Sequence, residues 1–266
     1  MATAGVIAIA GMGHRARHQA PYRPVLERVE IRLPASVQTP PRLRIGFVAD
    51  THLGSEIRLP DIERALELLL AADPDLLLFG GDYVSESPRH ITGAAAVLGN
   101  VANAARFGSL AVLGNHDYAN GAARMTTELE KRGIRVLRNE SALIGDDTGE
   151  LWIAGIDDAL LGSPDPERAF AGIPSTERAI ALWHEPDWAE QVVQYGTLLQ
   201  LSGHSHGGQV RLPVAGTVAA PVGGRRFVQG LNMAAGMPVY TTRGVGVYRP
   251  PMRFRCSPEV TLVTLV

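Results

Sequence analysis

The chain has 266 residues, 45% of them hydrophobic and 20% charged, which suits one large domain or two small ones with a sizeable core. Twenty-five Lys and Arg against 27 Asp and Glu leave a net charge of −2, which excludes a broad basic field for nonspecific nucleic-acid binding. One cysteine, Cys256, excludes an internal disulfide and a thiolate metal cage, so any metal chemistry must rest on His, Asp and Asn. Cys256 itself reads as an inert packed or partly exposed thiol.

Residues 1–12 are apolar and uncharged and precede His14-Arg15-Ala16-Arg17-His18. The stretch is shorter than the roughly 20 residues that span a bilayer, and no basic segment opens it as in a secretory leader. It reads as a frayed terminus, with the remnant of a leader or anchor as the alternative. The alternation at 25–33, between prolines, predicts one edge strand. From residue 43 the pattern alternates strand and helix: strands at 44–49, 75–79 and 110–113, helices at 59–72, 91–107 and 122–132. Such alternation predicts a largely parallel sheet with right-handed crossovers. After Gly133 short strands dominate, at 134–137, 141–144, 151–156 and 178–183, with a small helix near 165–170 and a last helix at 186–195. Beyond Gly203 only turns and strands are expected, including 209–212, 217–220, 227–230, 239–242, 253–256 and 260–266. They predict a second sheet packed on the first without a linker. The expected fold class is α/β, a two-sheet β-sandwich flanked by helices, with a lead-in at 1–42 and one domain at 43–266.

Five apolar strands end in residues that bind metals or move protons: Asp50-Thr51-His52, Gly81-Asp82, Gly114-Asn115-His116-Asp117, His184 and Gly203-His204-Ser205-His206. The first three recur roughly every 30 residues, the length of one βαβ unit, so each turn of the wind returns a ligand to one sheet edge. A single His or Asp after a strand is ordinarily a cap. Eight such residues on successive strand ends point to a binding site.

In this order and on these strand ends, the blocks resemble the five motifs of the calcineurin-like metallophosphoesterases, over residues 43–206. The tail, with Gly207-Gly208-Gln209-Val210-Arg211-Leu212-Pro213, Arg243-Gly244-Val245-Gly246 and Pro258-Glu259-Val260-Thr261, resembles a bacterial branch of often membrane-anchored phosphodiesterases. Members of that branch carry a longer apolar N-terminal anchor. The resemblance implies α/β/β/α layers and two divalent ions, Mn, Fe, Zn or Co: one held by Asp50, His52 and His206, the other by Asn115, His184 and His204, with Asp82 bridging. It implies a water or hydroxide bridging metals about 3.5–4 Å apart that attacks phosphorus in line. His116 then stabilises or protonates the leaving oxygen, and Asp117 holds the tautomer of His116.

The expected activity is phosphodiester hydrolysis of a small substrate. The alternatives are hydrolysis of a nucleotide–lipid pyrophosphate such as UDP-2,3-diacylglucosamine, and a noncatalytic metal-binding scaffold. No specific nucleic acid is expected. The expected location is cytoplasmic, with peripheral contact at a membrane as the second reading. His14, His18 and His90 read as solvated, Trp183 and Trp188 as core or rim packing, Tyr118 equally as a pocket-lining side chain or a loop aromatic, and Arg211 and Arg243 as surface or structural residues, with contact to substrate phosphate as the alternative.

Overall fold

The computed structural model describes residues 16–17, 20–34, 37, 39–174 and 179–266, so the expectations on 1–12, His14 and His18 lie outside the described residues. Two six-stranded sheets pack face to face. The first contains β1 (Val25–Ile31), β2 (Arg44–Val48), β3 (Leu76–Phe79), β4 (Ser109–Ala111), β5 (Arg135–Val136) and β14 (Glu259–Leu265), in the order β1-β14-β2-β3-β4-β5. The second contains β6 (Glu140–Asp146), β7 (Gly149–Gly155), β8 (Ala179–Leu182), β9 (Leu199–Ser202), β12 (Gly230–Ala234) and β13 (Met237–Thr241), in the order β12-β13-β9-β8-β7-β6. Strands β10 (Arg211–Leu212) and β11 (Gly216–Thr217) form a small separate hairpin.

The period of two along each strand sorts the side chains into layers. Ile45, Phe47, Leu76, Leu78, Leu110 and Val112 point from the first sheet into the space between the sheets, where they meet Ile153, Ile180, Leu182, Leu199 and Leu201 of the second. Their neighbours Val48, Leu77, Phe79 and Ala111 face outward, under helices α1 (Leu59–Leu70), α2 (Ile91–Gly99) and α3 (Asn115–Glu130). Ala179, Ala181 and Trp183 face the other way, with Phe170 of α4 (Pro166–Phe170) and Val192 of α5 (Glu190–Val193). Strands buried on both faces read as unbroken apolar runs, which is why the sequence pattern located them.

Several boundaries differ from the sequence reading. The helix expected at 91–107 stops at Gly99, and turns fill the rest. The helix expected from 122 begins at Asn115, because Asp117 in its first turn accepts the Gly114 N–H at 3.1 Å and caps it; the motif itself is a helix N-terminus. The region 186–195 is a 3-10 turn, Pro186–Trp188, followed by the four-residue α5. The largest difference is at the C-terminus. β14 leaves the second sheet's region and inserts into the first, parallel to β1 and antiparallel to β2. Residues 253–256 form no strand, only a bridge between Val210 and Phe254, and of 217–220 only Thr217 is in a strand.

Candidate metal centre

Strands β2, β3, β4, β8 and β9 all point the same way toward one edge of the sandwich, and the five motifs follow them directly. Asp50, His52, Asp82, Asp117, His184, His204 and His206 are all buried. Asp50, His52, Asp82, His204 and His206 adopt φ of 54°, 47°, 57°, 67° and 52°. Such left-handed backbone costs non-glycine residues on the order of 1 kcal/mol or more each, and its concentration here marks a functional constraint.

The side chains converge. His52 Nε2 stands 3.0 Å from His206 Nε2, and 3.6 Å from Asp82 Oδ2. His206 Nε2 is 3.7 Å from Asp50 Oδ1. On the other side, Asp82 Oδ2 lies 3.2 Å from His184 Nε2. Three groups, Asp50–His52–His206, His52–Asp82–His116 and Asp82–His184–His204, each have ligand atoms within 4.8 Å of one another. Asp82 is common to the last two and His52 to the first two, so the cluster is continuous.

Backbone and neighbouring groups fix the orientation of three of the imidazoles. His184 Nδ1 is bonded to Gly80 O at 2.6 Å, His204 Nε2 to Val222 O at 2.8 Å, and His52 Nδ1 to the Ser85 hydroxyl at 3.2 Å. Anchoring one ring nitrogen presents the other inward, as metal-ligating histidines require. The glycines permit the crowding. A Cβ on Gly114 would stand 2.3 Å from Asp82 Oδ1, and one on Gly203 would stand 2.4 Å from Asp50 Oδ2.

The donor set fits divalent transition metals. Asn115 Oδ1 is buried without a hydrogen-bond partner, an arrangement that costs free energy unless a further group is bound. Burial pushes His52 down to about 3 and His204 down to about 4, and lowers His206 as well, so these imidazoles are neutral and available to ligate. Burial opposes charge on His184 too, but the carboxylates of Asp82 and Asp50 outweigh it and raise that group. Burial, aided by the charge of Asp82, lifts Asp50 to about 7 against the pull of His184.

His116 lies beside this cluster. Its backbone N–H donates to Asp82 Oδ1 at 2.8 Å, its Nδ1 is bonded to Ser85 O at 2.8 Å, and its ring lies 4.8 Å from that of His52. Asp117 does not hold the tautomer of His116 as the sequence reading expected. It is turned away, and accepts backbone N–H groups of Asp82, Gly114 and Tyr83 at 2.8, 3.1 and 2.9 Å. Ser85 and Tyr248, whose ring is 5.1 Å from that of His116, were missed by the sequence reading. Ser85 carries no motif signal, whereas Tyr248 closely follows the Arg243–Gly246 motif.

The remaining residues are structural. Arg243 pairs with Glu259 at 2.7 Å and Glu27 at 2.5 Å, and Arg211 donates to the Thr217 hydroxyl at 2.6 Å. Trp183 is fully buried, Tyr118 bonds Asp157, and His90 is half-buried, accepting from Arg89. Cys256 is not idle. Its thiol is buried and donates to His206 O at 3.2 Å, bracing that residue's backbone.

A cleft of about 530 Å³ opens over the cluster, lined at its floor by Asp82, Asn115, His116, His204 and His206. A two-sheet α/β sandwich with His and carboxylate groups converging at one strand edge has the donor set to hold divalent metal ions. The chain belongs to the calcineurin-like phosphoesterase family, whose profile matches residues 43–208. It is 36% identical over 228 residues to "Phosphodiesterase YaeI" of Escherichia coli, covering 84% of this chain and 82% of that protein. It is 33% identical over 226 residues to "Uncharacterized metallophosphoesterase YkuE" of Bacillus subtilis, covering 84% and 78%. A zebrafish (Danio rerio) protein named "Transmembrane protein with metallophosphoesterase domain" is 32% identical, with 84% of this chain matching 53% of that one. Among solved structures, the NAD nucleotidase of Haemophilus influenzae shares the fold at a TM-score of 0.50 and 16% identity, over 77% of this chain and 50% of that chain. The chain thus spans about half the length of that nucleotidase. Among the described residues no helix is long and apolar enough to cross a membrane.

Proposed function

We propose that the chain hydrolyses phosphodiesters with two divalent ions, of Mn, Fe, Zn or Co type. Asp50, His52 and His206 hold one, Asn115, His184 and His204 the other, and Asp82 is shared. The observation that carries this reading is the position of Asp82 Oδ2, 3.6 Å from His52 Nε2 and 3.2 Å from His184 Nε2, between the two sets of donors. Such a pair supplies, when bound, Lewis-acid activation of water and neutralisation of phosphoryl charge.

The protein groups position and protonate. The carboxylates and imidazoles hold fixed orientations before substrate arrives, which lowers the reorganisation needed at reaction. His116, with Nδ1 committed to Ser85 O, presents Nε2 to donate a proton to the departing oxygen. A diester is favoured over a monoester by charge. Among the described residues the cleft lining includes one Lys or Arg, Arg249, whose Nε is 2.9 Å from Glu86, so beyond the ions themselves the lining offers no unpaired side-chain cation to a second phosphate charge. The resemblance to a relative named as a phosphodiesterase supports the same choice. The test compares bis(p-nitrophenyl) phosphate with p-nitrophenyl phosphate on the manganese-loaded protein. A higher kcat/KM on the diester is expected, and a preference for the monoester would overturn the assignment.

A further inference from the structure

The cleft has two chemically different ends. Its floor is the His and carboxylate cluster; its side wall is the run Val218-Ala219-Ala220-Pro221-Val222, with Val210 and Leu160 beside it. Val218, Val222 and Leu160 are 59%, 56% and 37% exposed, an apolar strip open to solvent next to a reaction centre. An apolar strip beside a reaction centre offers burial to an apolar part of a bound molecule.

The wall also excludes several occupants. Its five consecutive residues carry no polar side-chain atom, so a sugar or a peptide would lose hydrogen bonds there without replacement. Thr217, which directly precedes the run, already accepts from Arg211 through its hydroxyl, and Gln209 of the cleft lining is committed as well: its amide donates to Tyr248 O and Pro250 O and accepts from Tyr248 N. Ser205 is likewise engaged with Val228 O and Gly207 N. Tyr248, the aromatic among the lining residues, has its ring 5.1 Å from that of His116 at the floor, and the 218–222 wall itself carries no aromatic ring on which a nucleobase could stack.

We infer that one ester substituent of the substrate is an aliphatic chain that lies along the 218–222 wall while the phosphodiester sits over the metal cluster. This rests on the phosphodiesterase reading and deepens it by naming the substrate class. Val218, Val222 and Leu160 are the exposed aliphatic side chains of this part of the cleft, and Val218 and Leu160 are the ones to substitute, because the Val222 carbonyl holds His204 Nε2. Binding energy from the chain, remote from the reacting bond, raises kcat/KM by holding the phosphoryl group in place.

The experiment uses the full, manganese-loaded chain and the methyl, butyl and octyl esters of p-nitrophenyl phosphate, all below their aggregation concentrations. Each methylene that enters the groove should raise kcat/KM roughly two- to fourfold, so butyl should exceed methyl by about tenfold or more. In the double variant Leu160→Ser/Val218→Ser the butyl-to-methyl ratio should fall below about threefold. The ratio is internal to each preparation, so a fraction of misfolded protein does not alter it. Val214→Ser, at the hairpin tip and outside the cleft, should keep the wild-type ratio. Hydrolysis of the methyl ester with no gain along the series would overturn this inference alone; no hydrolysis of any ester would overturn the phosphodiesterase reading with it. A gain seen only for the octyl ester in phosphatidylcholine vesicles would also overturn it, since surface adsorption then accounts for the effect. Equal ratios in the double variant and wild type would do the same.

Discussion

The Asp117 carboxylate holds the backbone of Asp82: Oδ2 accepts the Asp82 N–H at 2.8 Å, although the two residues are 35 positions apart. The same oxygen accepts the Gly114 N–H, and Oδ1 accepts that of Tyr83. One buried side chain therefore ties the turn after β3 to the turn after β4. Because Asp82 has positive φ, its carboxylate stays between the two donor sets only while this backbone is held.

Asp117→Asn is accordingly expected to act through structure. An amide group replaces one acceptor and faces buried N–H donors, a loss of about 1–3 kcal/mol. The thermal midpoint of the metal-free protein should fall by several degrees, and metal affinity should weaken, with little change in the pH profile of turnover. Differential scanning calorimetry with a metal titration measures both. An unchanged midpoint together with a shifted pH profile would instead return Asp117 to a direct partnership with His116.

Gly114→Ala tests crowding at the centre. The φ of −112° at this position suits alanine, so backbone strain is not at issue. The added Cβ would stand 2.3 Å from Asp82 Oδ1 and 2.7 Å from His184 Nε2 and must displace both. Turnover should drop by roughly 10²-fold or more, the scale of a misplacement near 1 Å. Stability should drop by about 1–3 kcal/mol. Activity at the wild-type level would show that Asp82 and His184 do not need this geometry.

In the metal-free protein the stabilisation that the buried imidazoles of the site contribute should be lost as the pH falls from about 6.5 toward 4. Burial depresses His52 to about 3 and His204 to about 4, and His206 shifts the same way. The unfolded chain takes up protons on these residues near pH 6.5 while the folded chain does not. Their stabilisation is therefore complete above that pH and is lost on acidification. Asp50, raised to about 7, Asp117, raised by burial to about 8, and Glu185, which burial also raises, work in the opposite direction over this window, three carboxyls against three imidazoles. Thermal melts of chelator-treated wild type and His204→Asn at pH 6.5, 5.5 and 4.5 isolate one imidazole: the wild-type midpoint should fall relative to that of the variant on acidification, and a constant difference would mean that His204 is already charged in the fold.

Much of the centre was legible because parallel strands buried on both faces read as apolar runs, and the residue after each run falls on one sheet edge. Asp50, Asp82, Asn115, His184 and His204 were placed by that rule. What was hidden is tertiary. Nothing in the sequence near Ser85 signals that its carbonyl holds His116 Nδ1, or that its hydroxyl meets His52. The destination of β14 was hidden for the same reason: its apolar run suits either sheet, and only pairing with β1 and β2 decides. The run 217–220 reads as a strand by composition, yet the chain leaves the ladder after Thr217 and 218–222 lie along the cleft.

The most direct measurement is elemental analysis of purified wild type, Asp82→Asn and His116→Ala, beside their rates on diesters with a good and a poor leaving group. Wild type should carry two transition-metal ions per chain. Asp82→Asn should lose metal and activity together. His116→Ala should keep both ions and lose roughly 10²–10⁴-fold in turnover, with the smaller loss on a nitrophenolate leaving group that needs no proton. The assignment is contradicted if His116→Ala empties a metal site while Asp82→Asn retains two ions, for the group His52–Asp82–His116 would then be the true binding site.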